Sequence, residues 1–283
     1  MRSSTGMKKG FEDRVVYITG GSSGIGLAAA ELMAAGGAHV VIFARRIGPL
    51  EEAARQIRRH RASDARPCGY YQLDVADPEA VKQVMTRAVT EFGIPGILIN
   101  SAGRAKPDYF ASISFEQFDE TMKINVYGTW NTIAVLAPQM QEKGGGHIVN
   151  VASIAGFLGL FGYADYCASK FAVVGLSEVL RNEFKPMGIR VSVLCPPDTD
   201  TPGYALENIG KPPETRAISQ TAKLMSARDV AREMMRGMSQ DRFMIIPGMD
   251  GRLVYLIKRW LPGVVERVLD HAVKKARGKK TGS

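Results

Sequence analysis

Seven short apolar runs alternate along this chain with stretches of helical pattern, and this alternation restricts the fold more than any other feature. Strands covered by helices on both faces are almost continuously apolar, and strands that alternate with helices form a parallel sheet. The sequence therefore predicts one doubly wound α/β domain. The runs are RVVYIT (14–19), HVVIFA (39–44), YYQLDV (70–75), GILIN (96–100), HIVNVAS (147–153), IRVSVLC (189–195) and RFMIIP (242–247), with helical stretches such as 50–62 and 78–92 between them.

Two segments interrupt the alternation. Residues 196–226, here named the lid segment, are rich in Pro, Thr and Gly, and we expect a long loop that covers a functional site. The residues SARD at 226–229 are typical of a capping box and predict the start of the next helix. The other segment follows the last strand. We therefore expect a domain over residues 1–250 and a tail over residues 251–283.

The formal net charge of +9 is concentrated in the tail. Residues 251–283 contain nine Lys or Arg against Glu266 and Asp270, which is +7 of the total. The rest of the chain is nearly neutral and gives no reason to expect nucleic acid binding. The tail also carries an apolar stripe at three- and four-residue steps, which Pro262 is expected to split into two helices. The stripe comprises Leu253, Ile257, Trp260, Leu261, Val264, Val265, Val268 and Ala272.

An apolar stripe with Trp and flanking Lys and Arg fits a helix that lies in a membrane interface. The alternative is a helix packed on the body of the protein or on a neighbouring subunit. The first ten residues lack the apolar core of a signal peptide, and no run approaches the roughly 18 apolar residues of a membrane span. We expect a cytoplasmic protein that is peripheral on the cytoplasmic face of a membrane.

The chain has three cysteines, Cys68, Cys167 and Cys195, an odd number. No two of them have the spacing of a zinc site or of a redox motif. Reduced thiols are the simplest interpretation, and the scattered histidines predict no metal site.

The segment TGGSSGIG at 19–26 follows the first strand and opens a helix. Gly20, Gly24 and Gly26 allow the backbone to turn sharply and approach a pyrophosphate, and the helix N-terminus offers free N–H groups. A tight turn between strand and helix is the alternative, but this strand and helix context favours a dinucleotide-binding domain of the Rossmann type. The predicted contacts here are Gly20, Ser22, Ser23, Gly24, Ile25 and Gly26.

The end of the second strand favours NADPH over NADH. An acidic residue usually binds the ribose hydroxyls of NAD at this point, whereas Ala44 stands here, followed by Arg45 and Arg46. A guanidinium can pair with the 2′-phosphate of NADP. Two solvated arginines at a strand end are the alternative.

Further motifs follow in order: NSAG at 100–103, Asn125 in KINVYG, Ser153 in NVASIAG, and Tyr166-x-x-x-Lys170 in YADYCASK. With the glycine loop, they resemble the signature set of the classical short-chain dehydrogenase/reductases from about Val15 to the last strand. The resemblance implies a nicotinamide-dependent oxidoreductase that forms a dimer or tetramer through the helices after the fourth and fifth strands.

Physical chemistry distinguishes the two tyrosines of YADYCASK. A free tyrosine has a pKa of about 10, and a nearby ammonium lowers that pKa by favouring the phenolate. Residues four apart share a helix face, so Lys170 is expected to lie beside Tyr166, whereas Tyr163 has Cys167 at that spacing. We therefore predict Tyr166 as the general acid and expect Tyr163 to shape the pocket.

The resemblance assigns the other roles. It implies that Ser153 hydrogen-bonds the substrate carbonyl oxygen, that Lys170 also holds the nicotinamide ribose, and that Asn125 positions a water that relays protons to Lys170. The remaining implied cofactor contacts are Asp74 and Val75 beside the adenine, Asn100, Ala102 and Gly103 in the turn after the fourth strand, and Pro196 and Thr201 near the nicotinamide amide. The chain departs from the common family pattern at Ser101 and at Pro197.

PPDTDTPG at 196–203 and KPPETRAIS at 211–219 resemble the 3-ketodihydrosphingosine reductases, which implies a long-chain amino ketone lipid as substrate. FLGLFGY at 157–163 would then line the alkyl chain, or else belong to the core. Asp198, Asp200 or Glu214 would meet the substrate ammonium, and the sequence does not choose among them. Other interpretations are an NADPH-dependent reductase of an acyl thioester, steroid or sugar ketone, a non-catalytic NADPH-binding regulator, and a membrane scaffold.

Overall fold

A computed structural model describes residues 11–60, 68–219 and 224–278 of the chain. The strands are β1 (Val15–Thr19), β2 (His39–Ala44), β3 (Gly69–Gln72), β4 (Ile97–Asn100), β5 (Gly146–Val151), β6 (Ile189–Leu194), β7 (Thr199–Asp200), β8 (Met225–Ser226) and β9 (Met244–Ile245). The helices are α1 (Gly24–Ala35), α2 (Ile47–Arg59), α3 (Pro78–Phe92), α4 (Phe115–Met122), α5 (Gly128–Glu142), α6 (Ala164–Phe184), α7 (Pro202–Gly210), α8 (Pro213–Ser219), α9 (Ala227–Ser239), α10 (Met249–Trp260) and α11 (Pro262–Gly278).

The central sheet has seven parallel strands in the order β3-β2-β1-β4-β5-β6-β9. The predicted doubly wound fold is confirmed, because each apolar run contributes a strand. β1 pairs with β2 on one side and with β4 on the other, so the chain reverses its direction of winding between β1 and β4. In sheets of this kind the crevice at such a reversal, beyond the carboxyl ends of the strands, is where ligands bind.

Both faces of the sheet are covered, which explains why its strands are continuously apolar. Val16 and Ile18 pack with Met33 of α1 and Met234 of α9 on one face. Tyr17 and its neighbours on the other face pack with side chains of α3 and α5. Because successive strand residues point to opposite faces, the first four residues of β1 alternate between the two cores. All five residues of β1 are buried.

The lid segment is not the long loop that its composition predicts. Residues 196–219 and 224–226 contain the short strands β7 and β8, which pair with each other, and the helices α7 and α8. Pro202 and Pro213 each occupy the first position of a helix, where proline costs no hydrogen bond. Thr201 caps α7, since its hydroxyl accepts from the backbone N–H of Tyr204 at 3.1 Å. These prolines therefore start helices in a segment where they were interpreted as a loop signal.

The predicted start of α9 is confirmed, with Ser226 as its N-cap residue. The Ser226 hydroxyl accepts from the backbone N–H of Asp229 at 3.0 Å and donates to the Asp229 carboxylate at 2.7 Å. The tail forms α10 and α11, which meet at Pro262, and α10 begins at Met249, before the predicted boundary. α11 packs against α10 and against α8 of the lid segment. Lys279 and Lys280 of the predicted basic tail lie outside the described residues.

Candidate active site

A cleft opens beyond the carboxyl ends of the central strands, between the glycine loop and the lid segment. Its lining brings together residues that lie far apart in the sequence. The predicted site residues that line the cleft are Gly20, Ser22, Ser23, Gly24, Ile25, Arg45, Arg46, Asp74, Val75, Ala102, Gly103, Ser153, Tyr166, Lys170, Pro196 and Thr201. Gly26, Asn100 and Asn125 do not line it and lie behind this surface.

The glycine loop leaves no room for side chains at two of its positions. A Cβ atom on Gly20, which has a φ of +67°, would lie 2.7 Å from the backbone nitrogen of Ala102. A Cβ on Gly26 would lie 2.5 Å from the carbonyl oxygen of Gly20. Ser23 precedes α1 without a side-chain cap, so the first N–H groups of this helix are not taken up by its cap. The loop therefore fits a ligand whose phosphates lie close to the backbone.

Arg45 and Arg46 lie at the cleft edge where β2 ends, and both are exposed. The backbone carbonyl of Arg45 accepts from the side-chain nitrogen of Gln72 at 2.9 Å, which fixes the turn after β2 against β3. Neither guanidinium forms an ion pair with another residue in the described part of the chain. Both are therefore available to an anionic group in the cleft.

Tyr166, Lys170 and Ser153 meet on the inner wall of the cleft. Lys170 is buried, and its Nζ donates to the backbone carbonyl of Val151 at 2.9 Å, at the end of β5. The same Nζ lies 5.6 Å from the centre of the Tyr166 ring. Ser153 follows β5, and its hydroxyl accepts from the backbone N–H of Ala155 at 3.2 Å. One helix turn and one strand end thus hold the three side chains in place.

The electrostatics of this wall differ from the expectation for Tyr166. Burial raises the pKa of Tyr166, the charge of Glu207 raises this pKa further, and the hydrogen bond with Ser153 acts in the opposite direction. The pKa of Tyr166 in the protein alone therefore lies above its ordinary value, so the net lowering expected beside Lys170 is not found. Burial also lowers the pKa of Lys170, to about 8, because the ammonium is removed from water.

Asn125 lies in a single π-helical turn, Lys123–Tyr127, between α4 and α5. Its Oδ1 accepts from the backbone N–H of Arg104 at 2.9 Å, and its Nδ2 donates to the carbonyl of Arg104 and to the hydroxyl of Ser169. A Cβ on Gly103 would lie 3.3 Å from Asn125 Oδ1 and 3.5 Å from Lys170 Nζ. Asn125 therefore fixes the loop in front of Lys170, and the backbone at Gly103 lies close to both side chains. π-turns of this kind are frequent at functional sites.

Asn100 supports the cleft from behind. Its amide nitrogen donates to Oδ1 of Asn150 at 2.9 Å, and its Oδ1 accepts from the hydroxyl of Thr132 at 2.7 Å. Asn150 in turn donates to the hydroxyl of Ser177 at 3.0 Å. This buried chain of hydrogen bonds ties β4 to β5 and to the helices behind them. The side chain of Asn100 thus holds the turn that carries Ala102 and Gly103.

The lid segment supplies an outer wall that combines aromatic and acidic side chains. The hydroxyl of Tyr204 donates to Asp198 at 3.2 Å, and the hydroxyl of Tyr163 donates to Oε1 of Glu207. Asp198, Tyr204 and Glu207 of the lid segment line the cleft together with Tyr163, which precedes α6. Tyr163 shapes the pocket, as its position in the sequence indicated, and its ring centre lies 5.7 Å from that of Tyr166.

Two of the three acids considered for the substrate ammonium lie away from the cleft. Asp200 is exposed and belongs to β7. The buried Glu214 accepts from the hydroxyl of Tyr109 and pairs with Arg277 of α11. Asp198 alone of the three lines the cleft.

Most of the predicted apolar wall at 157–163 is also turned away from the cleft. Phe157 packs edge-to-face on Tyr255 of α10, and Phe161 packs on Tyr109, whereas Leu160 and Tyr163 reach the cleft. The core interpretation of FLGLFGY is therefore correct for Phe157, which packs on a buried cluster.

Sequence reasoning missed several residues of the outer wall, among them Tyr204, Glu207 and Lys211. The signal for Glu207 and Lys211 is their spacing of four residues, at which a glutamate and a lysine pair on one helix face. The signal went unused because the segment was interpreted as a loop, in which that spacing has no meaning.

Comparison with known proteins agrees with this geometry. The family model for short chain dehydrogenase matches residues 14–209. The chain belongs to the short-chain dehydrogenase family. It is therefore an oxidoreductase, and the strands β1 to β7, the glycine loop and the Tyr166–Lys170 pair described above all fall within the matched residues.

Among curated proteins, this member of the family is similar to enzymes named 3-ketodihydrosphingosine reductase. The Bos taurus enzyme is 38% identical over 240 residues, which is 84% of this chain and 72% of that protein. The Dictyostelium discoideum enzyme is 36% identical over 258 residues, which is 86% of this chain and 77% of that protein. The match extends over most of both chains, and the predicted resemblance to this group is confirmed.

Solved structures of the family have the same fold. A short chain dehydrogenase/reductase from Burkholderia phymatum in complex with NAD has a TM-score of 0.75 at 28% identity and covers 83% of this chain and 89% of its own. L-Sorbose reductase from Gluconobacter frateurii, complexed with NADPH and L-sorbose, has a TM-score of 0.74 at 28% identity and covers 86% of this chain and 98% of its own.

Proposed function

We propose that this short-chain dehydrogenase reduces 3-ketodihydrosphingosine, a long-chain ketone with an amino group on the carbon next to the carbonyl, to sphinganine with NADPH. The observation that carries the proposal is the 36–38% identity, over most of the chain, to enzymes named for this ketone. The cleft supports it with a proton donor on the inner wall and acidic side chains on the outer wall.

The cleft residues fit a nicotinamide dinucleotide. The close backbone approach at Gly20 and the uncapped start of α1 suit its pyrophosphate. Arg45 and Arg46 suit a 2′-phosphate, which is the basis for NADPH rather than NADH. Asp74 and Val75 line the part of the cleft below β3, where the adenine would lie. When bound, the cofactor supplies the hydride for the carbonyl carbon.

Three side chains of the inner wall take part in protonation of the carbonyl oxygen. The Ser153 hydroxyl donates a hydrogen bond to this oxygen and fixes the ketone against Tyr166. The Tyr166 hydroxyl gives its proton to the same oxygen as the negative charge develops. The ammonium of Lys170, held by the carbonyl of Val151, lies behind the Tyr166 ring, where it favours the phenolate that the transfer leaves.

Asn125 does not contact the substrate and affects this proton transfer by positioning the loop beside Lys170. By holding the backbone of Arg104 at both its N–H and its carbonyl, it keeps Gly103 against Lys170. We propose that a water in this space carries protons from solvent to Lys170. Loss of the amide would release the loop and slow the return of the proton to Tyr166.

We propose that the tail brings the cleft to a membrane surface on the cytoplasmic side. No helix among the described residues is both long and apolar enough to cross a membrane. α10 and α11 nevertheless expose large apolar side chains next to basic ones, and α7 of the lid segment adds two more. The exposed apolar side chains are Leu253, Leu256, Trp260, Leu261, Val264 and Val268 of the tail and Leu206 and Ile209 of α7.

Flotation with liposomes tests the membrane proposal. The double variant Trp260→Ser/Val268→Ser removes two of the most exposed apolar side chains of the tail. We expect the wild type to float with vesicles that contain anionic lipid and the variant to float less. Equal flotation of the two proteins would count against a membrane role for the tail.

We propose further that two copies of the chain associate through α5 and α6. Trp130 of α5 and Phe171 and Val179 of α6 are exposed on these helices, and apolar side chains of this size are usually covered in the assembled protein. Light scattering should give the mass of a dimer or tetramer for the wild type and a lower mass for Trp130→Glu.

Turnover of alternative ketones tests the function itself. Purified protein in mild detergent is given NADPH with 3-ketodihydrosphingosine, a β-ketoacyl thioester or a steroid ketone, and oxidation of the cofactor is followed by its absorbance. We expect rapid reduction of the sphingoid ketone. Preferential reduction of the thioester or the steroid ketone would be consistent with the family but would overturn the proposed substrate.

A further inference from the structure

Glu207 presents its carboxylate between the interior of the lid segment and the cleft. Its Oε1 receives two contacts from within the protein, from the hydroxyl of Tyr163 and from Nζ of Lys211 at 2.9 Å. Its Oε2 has no hydrogen-bond partner among the described residues, and the side chain is not fully enclosed, with 15% of it exposed. One oxygen is thus held by the lid segment, and the other is available to a ligand.

Lys211 holds this arrangement from behind. Its side chain is fully buried, and its Nζ lies 4.2 Å from the ring centre of Tyr204 and 5.9 Å from that of Tyr163. The Nζ makes no well-aligned hydrogen bond within the described structure, so its contact with Glu207 is an ion pair in an aromatic enclosure. A buried ammonium with so few other contacts fixes the carboxylate in front of it.

The charges on this wall do not cancel. Asp198 and Glu207 each carry a negative charge to the cleft, and Lys211 offsets one of them. Asp198 uses Oδ2 to accept from Tyr204, and its Oδ1 has no hydrogen-bond partner in the described part of the chain. The wall therefore has a charge of −1 and two carboxylate oxygens without a protein donor, which favours one cation in the cleft.

This wall lies close to the reacting hydroxyl. The charges of Glu207 and Asp198 both act on Tyr166 and raise its pKa. The ring of Tyr163, whose hydroxyl binds Glu207, lies 5.7 Å from the ring of Tyr166. A group bound by the wall is therefore near the carbonyl that Tyr166 protonates.

We infer that Glu207, assisted by Asp198, binds the ammonium group of an α-amino ketone and makes the enzyme specific for amine-bearing ketones. The inference rests on the proposed function, because it assigns a residue to the amine of that substrate. In an α-amino ketone the nitrogen is attached to the carbon next to the carbonyl, so a ketone held by Ser153 and Tyr166 brings its ammonium within reach of the lid segment. A charge-assisted contact with Oε2 then completes the partners of Glu207.

Two ketones that differ only in the amine provide the test. The substrates are 3-ketodihydrosphingosine and the analogue with hydrogen in place of its amino group, in the same detergent with NADPH. We expect the wild type to prefer the amino ketone in kcat/KM. In Glu207→Gln this preference should fall about 10- to 100-fold, the effect of one lost charge-assisted hydrogen bond, because kcat/KM for the amino ketone falls more than kcat/KM for the analogue, which has no ammonium group.

Two further variants control for folding and for charge in general. Glu207→Gln leaves the Lys211 ammonium without its partner, which can destabilise the lid segment. The double variant Glu207→Gln/Lys211→Met removes the pair together, and it should show the same loss of preference even if the single variant does not fold. Asp200→Asn removes an exposed acid of the lid segment outside the cleft and should keep the wild-type preference.

The outcomes separate the inference from the function on which it rests. If the folded Glu207 variants keep the wild-type preference, or lose activity equally on both ketones, Glu207 does not select the amine and the inference alone is overturned. If the wild type reduces the amino ketone no better than its analogue, the inference fails too. If the wild type also fails to reduce the amino ketone while reducing another ketone, the proposed function fails with it.

Discussion

Nε of Arg277 lies 3.2 Å from Oε1 of Glu214, so the last helix of the described structure is ion-paired to the lid segment. The carboxylate is almost fully buried, and its other oxygen accepts from the hydroxyl of Tyr109 at 2.9 Å. The Arg277 guanidinium also lies 5.7 Å from the ring centre of Phe161. The tail, the lid segment and the loop before α6 therefore meet at one point, and the tail is positioned by the lid segment rather than free of it.

Removal of this ion pair should loosen the tail without unfolding the protein. In Arg277→Ala we expect faster hydrogen exchange of backbone amides in α8 and α11, because the two helices lose their charged contact. The global free energy of unfolding should fall by less than about 1 kcal/mol, since one partner is largely exposed. Arg267→Ala, an exposed position on the same helix, is the control, and equal exchange in the two variants would contradict the prediction.

Tyr166 and Tyr163 should respond differently to loss of the hydroxyl. Tyr166→Phe removes the proposed proton donor, so kcat for ketone reduction should fall roughly 100- to 10,000-fold, with NADPH binding, measured by fluorescence titration, retained. Tyr163→Phe removes only the hydrogen bond to Glu207, so its kcat should fall much less. Retained turnover in Tyr166→Phe would remove Tyr166 from the mechanism.

The pH dependence of activity should follow Lys170. Burial lowers the pKa of this ammonium to about 8, whereas burial raises the pKa of Tyr166. As the pH rises, Lys170 loses its charge first and Tyr166 keeps its proton. We expect kcat/KM for the ketone, which reports the free enzyme, to fall above about pH 8. A profile that stays flat well beyond that pH would show that the charge on Lys170 is not required.

Arg45 and Arg46 should determine the cofactor. We expect Arg45→Ala/Arg46→Ala to lower kcat/KM for NADPH about 10- to 100-fold, as loss of charge-assisted bonds to a phosphate predicts, and to leave kcat/KM for NADH nearly unchanged. Arg59→Ala, at the exposed end of α2, the helix that follows Arg46, should behave as the wild type. An equal fall of kcat/KM with both cofactors would mean that the arginines do not bind the 2′-phosphate.

The strands of the sheet could be predicted from the sequence because helices cover them on both faces. Continuous burial leaves an unbroken apolar run, and every predicted run overlaps a strand of the sheet. The ends were less predictable, since β3 stops at Gln72 and β9 pairs only at Met244 and Ile245. Apolar residues continue past both ends because they pack against helices or line the cleft, and an apolar pattern does not distinguish these uses from pairing.

The inner wall of the cleft was predictable and the outer wall was not. Tyr166 and Lys170 lie on one helix at a fixed spacing, and Ser153 lies at a strand end, so local rules place all three. The outer wall depends on a lid segment whose prolines were interpreted as loop signals, although Pro202 starts the helix that carries Glu207. Partners such as Arg277 and Glu214, which lie 63 residues apart, follow from tertiary packing that no local pattern contains.

His147 should make the protein sensitive to acid. Its Nε2 lies 2.8 Å from the hydroxyl of Ser192, which itself donates to the carbonyl of Arg242, so Nε2 is the donor of a neutral ring. Burial lowers the pKa of His147 to about 4, with a smaller effect from Arg190. The neutral ring is therefore favoured in the folded state, and its contribution is complete above the ordinary pKa of 6.5.

As the pH falls from 6.5 towards about 4, His147 binds a proton in the unfolded chain but stays neutral in the folded protein. This difference should lower the free energy of unfolding by about 3 kcal/mol over that range. Urea denaturation at several pH values measures it. His147→Gln should lack this part of the pH dependence, whereas His60→Gln, exposed at the end of α2, should keep it. If His147→Gln and the wild type lose stability in parallel, carboxyl groups rather than His147 account for the acid sensitivity.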